Sequence, residues 1–182
     1  MGYTHYFSYR PEAPGFANAF AHLQMDALAI AQTARRITPL ARVGRIDYDH
    51  VTNSHSFSDD ICVEGVISLN GVGPDGCTRD GFSCETLWMA LDPMSFHQEQ
   101  TEYDAYMREE FESAGRVQRD FCKTRRRPYD AVVTAILIRA KLLVPDFSVA
   151  SDGSWAEWSS GRGVYEAAFG EPARCPFEAA RV

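Results

Sequence analysis

The chain has 182 residues, 45% of them hydrophobic, and a formal net charge of −7 at pH 7. This length and apolar fraction suffice for a real core, so we predict a single globular domain over residues 1–182 with an irregular tail from about residue 171. The acidic balance argues against the broad basic surface with which proteins bind duplex DNA or anionic membranes.

The sequence shows no export or membrane signal. Residues 1–6 begin neither a basic nor an apolar segment of the kind found in secretion signals. The longest apolar run, residues 131–144, contains Arg139 and Lys141 and is too short for a bilayer of about 30 Å. Five cysteines form no Cys-x-x-Cys pair, so we expect reduced thiols rather than disulfides or a zinc knuckle. We therefore expect a protein that stays inside the cell.

The first 37 residues predict a strand followed by a helix. Residues 2–9 are rich in aromatic side chains and alternate, which indicates a strand. Two prolines and a glycine within residues 11–15 end this strand. Apolar side chains then recur in steps of three and four over residues 16–37, which predicts an amphipathic helix. The predicted inner face of the strand consists of Tyr3, His5, Phe7 and Tyr9.

The next segment predicts an antiparallel hairpin. Residues 38–60 are polar and irregular, and we interpret most of them as a loop with a short strand at residues 45–48. Residues 61–69 alternate and run into Asn70-Gly71, where we expect a turn. A second alternating run over residues 82–89 completes the hairpin.

Two helices and a strand follow. Thr101 and Asp104 form a capping-box pattern that opens a helix, and Gly115 ends that helix. Residues 129–143 are apolar nearly all round, which is typical of a helix packed on several sides. Residues 147–150 predict a further strand.

The last helix is predicted from a second capping box, formed by Ser154 and Glu157. Two glycines, Gly161 and Gly163, lower the helix propensity of this segment. The order of strands and helices lacks the regular alternation of a doubly wound parallel sheet. We predict an α+β domain with a mostly antiparallel sheet, packed helices and one central buried helix.

The most unusual stretch runs from Arg116 to Asp130. Six basic residues and one acid lie between Arg116 and Arg127, although the protein as a whole is acidic. The stretch precedes the predicted buried helix, and a helix start offers free N–H groups and the positive end of a dipole. Together with the hydroxyl of Thr124, these groups predict a phosphate or carboxylate site. Alternatively, the arginines pair with the acidic helix of residues 102–112.

Other candidates lie around this stretch. His5 is either a packed core histidine or a general base, and its neighbours Tyr3 and Tyr6 can stack on a planar ligand, which makes the first strand a candidate pocket wall. Asp152 either caps a turn or accepts a hydrogen bond from a ribose. We assign no catalytic residue. The predicted ligand-binding residues are Lys123, Thr124, Arg125, Arg127, Tyr3, His5, Tyr129 and Asp152.

We predict neither a metal nor a cofactor. The spacing of the polar residues in the loop at 50–60 matches no standard metal site. The phosphate loop G-x-x-x-x-G-K-[ST] and the G-x-G-x-x-G fingerprint are both missing, so no nucleotide fold of those classes is implied. The loop residues considered as metal ligands are His50, His55, Asp59 and Asp60.

Three segments resemble a family of small bacteriophage and prophage proteins that begin with the same peptide. They are Met-Gly-Tyr-Thr-His-Tyr at residues 1–6, Phe-Cys-Lys-Thr-Arg-Arg-Arg-Pro-Tyr-Asp at residues 121–130, and Ser-Asp-Gly at residues 151–153. The resemblance spans most of the chain and implies a viral origin and a host-cytoplasm setting, without catalytic residues. The family usually has alanine at the position of Arg125 and lysine at that of Arg127, so the resemblance favours Lys123, Thr124 and Arg127 as binding residues over Arg125 and Arg126.

These observations predict a phage protein that binds a phosphate-bearing small molecule. We expect an anionic, nucleotide-like ligand, in particular a host nucleotide immune signal that the protein sequesters to blunt defence. An enzyme acting on a nucleotide or phosphoester, with His5 or Asp152 as general base, remains an alternative, as does an acidic inhibitor of a host defence complex. We expect no membrane partner and no broad nucleic-acid binding. The sequence leaves open whether the protein is a homo-oligomer.

Overall fold

A computed structural model describes residues 2–49, 54–73, 81–97 and 101–177. Within these ranges the chain forms helices and antiparallel strands, which confirms the predicted α+β class. The helices are α1 (Phe16–Ile37), α2 (Glu102–Ser113), α3 (Asp130–Leu143) and α4 (Ser159–Phe169), with 3-10 helices at Pro93–Phe96 and Trp155–Trp158. The strands are β1 (Thr4–Tyr9), β2 (Val43–Asp49), β3 (Ser54–Ser58), β4 (Cys62–Val63), β5 (Val66–Gly71), β6 (Leu87–Ala90), β7 (Gln118–Lys123) and β8 (Ser148–Ser151).

The strands form two sheets. The smaller sheet has the order β7-β1-β8, with β1 in the centre. Its register places Tyr6 opposite both Phe121 on β7 and Ala150 on β8. The larger sheet has the order β3-β2-β5-β4, and β6 also pairs with β5. Every strand pair among the described residues is antiparallel.

The central buried helix is α3, as predicted. It packs against α1 and α4, and its apolar side chains lie in one core cluster with the inner face of β1. Gly161 allows the close contact with α4, because a Cβ there would lie 1.9 Å from Thr134 Oγ1. The predicted apolar stripe of α1 is buried from Phe16 to Ala34, whereas Ile37 is exposed. The buried residues of α3 are Ala131, Val132, Val133, Thr134, Ala135, Ile136, Leu137, Ile138 and Ala140.

The helix signals in the sequence correspond to real helix ends. Thr101 Oγ1 accepts a hydrogen bond from Asp104 N at 3.1 Å at the start of α2, and Gly115 follows that helix with φ of +71°. The capping box of Ser154 and Glu157 opens the second 3-10 helix, which continues into α4. Residues 171–177 form neither helix nor strand. No helix within the described ranges is both long and apolar enough to cross a membrane.

The predicted turn at Asn70-Gly71 is wrong. The chain turns earlier, at Glu64-Gly65, where φ values of +48° and +76° give the left-handed pair typical of a tight hairpin. Gly71 instead ends β5, where a Cβ would lie 1.8 Å from Phe82 O. The Asn70 amide donates to Cys84 O at 3.0 Å, so it links β5 to the next segment. The predicted pairing of the two alternating runs is confirmed as β5 with β6.

The predicted loop at residues 38–60 contains a hairpin. The predicted short strand at residues 45–48 is confirmed as part of β2, whereas β3 carries one apolar side chain, Phe57, and therefore has too weak an apolar alternation to be predicted as a strand. Arg45 on β2 pairs with Asp47 two residues later, at 2.7 and 2.8 Å. His50 lies outside the described residues.

Candidate functional site

The loop between β7 and α3 contains most of the residues predicted to bind an anion. Its backbone amides are largely used within the fold. Thr124 N and Arg125 N both donate to Tyr3 O, at 3.0 and 3.1 Å, and Asp130 N donates to Arg127 O at 2.9 Å. These N–H groups therefore hold the loop against β1, and an anion at this helix start would depend on side chains.

Two exposed arginines near this loop, Arg126 and Arg116, pair with neighbouring acids, whereas no ion pair with a described residue involves Arg125 or Arg127. The Arg126 guanidinium lies 4.4 Å from the centre of the Tyr3 ring and also pairs with Glu157. Tyr3 is buried under it, so its ring is not free to stack on a ligand. Arg116 pairs with Glu112 of α2 at 3.4 Å, as the surface-pairing alternative expected.

His5 lies at the centre of a buried polar network, which we call the His5 network. Its Nε2 is 2.7 Å from Asp130 Oδ1, and its Nδ1 is 2.9 Å from Ser151 Oγ. Because an ionised carboxylate only accepts, Nε2–H donates to Asp130, and the Ser151 hydroxyl donates to Nδ1. Thr124 Oγ1 also donates to Asp130 Oδ1, and Ser151 Oγ accepts from Gly153 N at 2.9 Å.

The His5 network has the residue types of a Ser-His-Asp hydrolase but a closed environment. The His5 side chain is 0% exposed, and both ring nitrogens have partners. The Trp158 ring contacts the His5 ring edge-to-face at 5.1 Å between centroids, and Trp158 Nε1 donates to Ser151 Oγ at 3.4 Å. The geometry matches a packed core histidine that ties β1 and β8 to α3.

Three other predicted or neighbouring groups are held within the fold. The Tyr129 hydroxyl donates to Glu85 O at 2.7 Å, and burial raises the pKa of Tyr129 well above its ordinary value. Burial likewise raises the pKa of the Cys122 thiol, which keeps it protonated. Asp152 Oδ2 accepts from Thr4 N at 3.0 Å, so this carboxylate holds the end of β8 beside β1.

A large groove lies at the small sheet, on the side away from the His5 network. It has a volume of about 880 Å³. Tyr6 and Phe121 lie side by side in it, with ring centroids 6.4 Å apart, and they are 46% and 53% exposed. The walls come from β6, the first 3-10 helix and α2. Their aromatic and histidine side chains are Trp88, Phe96, His97 and Tyr103. We call this site the aromatic groove.

The alternation of side chains along a strand explains why Tyr6 and Phe121 form the floor of the groove. Tyr6 follows His5 on β1, so the two side chains point to opposite faces. On β7, Arg119, Phe121 and Lys123 share the face of Tyr6, because the register pairs Tyr6 with Phe121. Sequence reasoning identified Tyr6 as a stacking residue but missed the rest of this site, since it interpreted the basic stretch as the approach to a helix. The alternating basic and aromatic residues of β7 were the available signal.

The charged residues of the groove differ in whether their side chains have a partner in the described structure. The Arg119 guanidinium makes no hydrogen bond or ion pair with any residue that the structure describes. Asp120 is largely buried, and its Oδ1 accepts from Phe121 N at 2.7 Å. Desolvation raises the pKa of Asp120 to about 6. His97 is 3.0 Å from Asp104 Oδ1, which fixes the imidazole in the wall.

The described residues contain no group of histidine, cysteine, aspartate or glutamate side chains that could hold a metal ion. His55, Asp59 and Asp60 therefore form no such group with one another. Asp59 pairs with Arg35 instead, and Asp60 Oδ1 accepts from Cys62 N at 3.2 Å.

The fold and the groove define an α+β protein with an open, aromatic binding site beside a small antiparallel sheet. No protein-family model matches the chain, and no curated protein or solved structure is significantly similar to it. The function must therefore be argued from the chemistry of the groove.

Proposed function

We propose that the protein binds a small, nucleotide-like ligand in the aromatic groove and holds it without transforming it. The observation that carries this proposal is the pair of half-exposed rings, Tyr6 and Phe121, inside a groove of about 880 Å³. A cleft of this size suits a small molecule, and aromatic rings in such clefts provide the contact area for planar groups.

Exposure of these rings is unfavourable unless they have a partner. Tyr103 on the groove wall is 63% exposed and Phe96 is 54% exposed, so the apolar surface is continuous across floor and wall. Contiguous exposed apolar surface of this kind marks a binding site more often than scattered single residues do. Stacking of a base on an aromatic side chain contributes roughly 1–3 kcal/mol.

The charges beside the rings suit an anionic group on the same ligand. Arg119 and Lys123 flank Phe121 on the open face of β7, each two residues and roughly 6.7 Å along the strand from it. A guanidinium without a protein partner can bind a phosphate through two parallel hydrogen bonds. This arrangement supports a phosphate-bearing ligand, and it moves the expected anion contact from the start of α3 to the face of β7.

Binding without catalysis is the better reading of the site. His5, the general base considered from the sequence, is fully buried and engaged on both nitrogens, and it lies on the face of β1 opposite the groove floor. The role that we propose is sequestration of a host nucleotide signal by a phage protein in the host cytoplasm. Its support is the resemblance of residues 1–6, 121–130 and 151–153 to phage proteins, together with the groove.

Isothermal titration tests the proposal. The panel comprises nucleoside monophosphates, cyclic dinucleotides and ADP-ribose-type nucleotides, titrated into folded protein. We expect one class to bind, and Phe121→Ala to weaken that binding roughly 5-fold to 100-fold through lost stacking. Tyr106→Ala is the matched control, because Tyr106 is exposed on α2 but does not line the groove.

The fate of the ligand separates binding from catalysis. Ligand released by heat after overnight incubation is analysed by chromatography, and we expect it unchanged. A chemically altered ligand would show an enzyme, and the sequestration role would be wrong. If folded protein binds no member of the panel, the nucleotide proposal itself is wrong.

A further inference from the structure

We infer that the phosphate of the ligand lies on Arg119, Ser8 and Ser148 of the groove floor, and that the groove takes nucleotides with one phosphate in preference to di- and triphosphates. The inference rests on the proposed function, since it assumes that a nucleotide occupies the aromatic groove. It adds the position of the phosphate and the charge class of the ligand.

The register of the small sheet brings these three residues together. Ser8 on β1 lies opposite Arg119 on β7 and opposite Ser148 on β8. Ser8 is two residues from Tyr6, so the three side chains share the face of the groove floor. Directly opposite side chains on one face have Cβ atoms about 4.5–5.5 Å apart. All three residues line the groove, and we call them the polar row.

The polar row lies beside the rings of the floor. Phe121, Tyr6 and Ala150 form the next row across the sheet, two residues and roughly 6.7 Å along the strands. On the other side of this row, Lys123 shares the strand face but does not line the groove. Its side chain runs past Gly2, where a Cβ would lie 3.0 Å from Lys123 Cε. A ligand stacked on the rings therefore meets its anion contact at the polar row.

The polar row supplies the donors that one phosphate needs. The hydroxyl oxygens of Ser8 and Ser148 are 2.7 Å apart, so one hydroxyl donates to the other and the pair keeps one proton to donate to a ligand. The Arg119 guanidinium has no partner in the described structure and can donate two parallel hydrogen bonds. These donors together can bind the oxygens of a single phosphate.

The charges around the groove then disfavour further phosphates. Among the described residues that line it, Arg119 is the only arginine or lysine, whereas Glu110 on α2 adds a negative charge. The Asp120 carboxylate points to the opposite face of β7 and adds negative charge beneath the floor. His97 is paired with Asp104, so this pair adds no net positive charge. A second or third phosphate would therefore meet like charge without a second cation.

Titration of the wild-type protein tests the inference without any variant. The ligands are the mono-, di- and triphosphates of adenosine, guanosine, cytidine and uridine, at one ionic strength and with EDTA present. Within the series of any base that binds, the monophosphate should bind most tightly, and each added phosphate should weaken binding roughly 2-fold to 5-fold. Comparison within one series removes the contribution of the base.

Replacing both Ser8 and Ser148 by alanine assigns the phosphate contact to the polar row. This double variant should bind the monophosphate roughly 10-fold more weakly and the corresponding nucleoside within about 2-fold of wild type. Ser160→Ala is the matched control, because Ser160 is exposed on α4 and does not line the groove. It should leave both affinities unchanged. Equal losses for nucleotide and nucleoside would mean that the serines only pair the strands, and the inference would be wrong.

The outcomes separate this inference from the proposed function. Tighter binding of the di- and triphosphates, or equal affinity for nucleotide and nucleoside, overturns the inference, and if binding still depends on Phe121 the groove remains the nucleotide site. The same holds if Lys123→Gln weakens monophosphate binding and the double serine variant does not. If the folded protein binds none of these nucleotides, or binds them independently of Phe121, both proposals are overturned.

Discussion

The two faces of β1 carry similar side chains in opposite settings. On the inner face, His5 is fully buried, and each polar atom of its ring has a protein partner. On the open face, Tyr6 is 46% exposed beside Phe121, and the nearby Arg119 has no partner in the described structure. A satisfied network stabilises a fold, whereas unsatisfied aromatic and charged groups in a groove are available to a ligand.

Residue type alone would assign the opposite roles to these two faces. Serine, histidine and aspartate at hydrogen-bonding distance suggest catalysis, yet here they join β1, β8 and α3 inside the core. Tyrosine, phenylalanine and arginine carry no such catalytic association, yet here they line the aromatic groove. The position of a side chain relative to solvent, rather than its chemistry alone, separates the two roles.

The largest expected effect comes from breaking the His5 network. Asp130→Ala removes the acceptor for both His5 Nε2 and Thr124 Oγ1, which leaves two buried donors without a partner. We expect the free energy of unfolding to fall by about 3 kcal/mol, measured by urea denaturation. Asp59→Ala, which removes only an exposed pair with Arg35, should change it by less than about 1 kcal/mol.

The same variant tests whether the two faces are independent. At a temperature and urea concentration where Asp130→Ala is still folded, its affinity for the groove ligand should stay within about 2-fold of wild type, because distant sites act additively. Loss of ligand binding by the folded variant would show that the network shapes the groove, and wild-type stability would show that the network contributes little.

A second prediction concerns the groove floor. Replacing both Tyr6 and Phe121 by alanine should reduce ligand affinity roughly 100-fold, since both stacking surfaces are lost. Both side chains are about half exposed, so the free energy of unfolding should change by less than about 1.5 kcal/mol. Titration and urea denaturation of one preparation measure both quantities. A large loss of stability with unchanged affinity would show that the two rings stabilise the fold and do not contact the ligand.

Local features of the fold could be predicted from the sequence, whereas contacts between distant parts of the chain could not. Helix ends and the core helix follow from local signals, such as Thr101 with Asp104, Ser154 with Glu157, and the continuous apolar run of α3. The contact between His5 and Asp130 joins residues 125 positions apart, and no local pattern encodes it. The wall of the groove likewise depends on how α2 packs beside the small sheet.

Part of the groove floor could be predicted from the sequence. Arg119, Phe121 and Lys123 alternate with Gln118, Asp120 and Cys122, which is only a weak period-two signal because both sets contain polar side chains. The six basic residues are the stronger signal, and their position before an apolar run favours the approach to a helix over a strand. An open sheet face can carry aromatic and basic residues because it need not be apolar throughout, so such a strand has a weaker pattern than a half-buried one.

A third prediction uses the pKa of Asp120, which desolvation raises from 3.8 to about 6. The folded state therefore keeps this proton at pH values where the unfolded state has lost it. The stabilising contribution of the protonated form is fully present below about pH 4 and is lost as the pH rises through about 6. Asp120→Asn should accordingly be about 3 kcal/mol more stable than wild type at pH 7, with the difference vanishing near pH 4.

Urea denaturation of both proteins from pH 4 to pH 8 measures this difference. Other titratable or charged groups lie near Asp120 or line the groove, namely Glu85 before β6, Glu110 on α2, His97 in the groove wall and Arg119 on β7. They are unchanged in the variant, so the difference between the two curves isolates Asp120. A difference that is constant across the pH range would mean that Asp120 has no raised pKa.

The smallest expected effect distinguishes two arginines of the basic stretch. Arg119→Gln removes the unpaired guanidinium of the groove, and it should weaken binding of a nucleotide roughly 10-fold while leaving the corresponding nucleoside unaffected. Arg126→Gln removes a guanidinium that already contacts Tyr3 and Glu157, so it should leave ligand affinity unchanged. Titration of nucleotide and nucleoside into both variants provides the comparison. If Arg126→Gln weakens nucleotide binding and Arg119→Gln does not, the anion contact belongs to the loop before α3, as the sequence first indicated, and the groove binds the ligand through stacking alone.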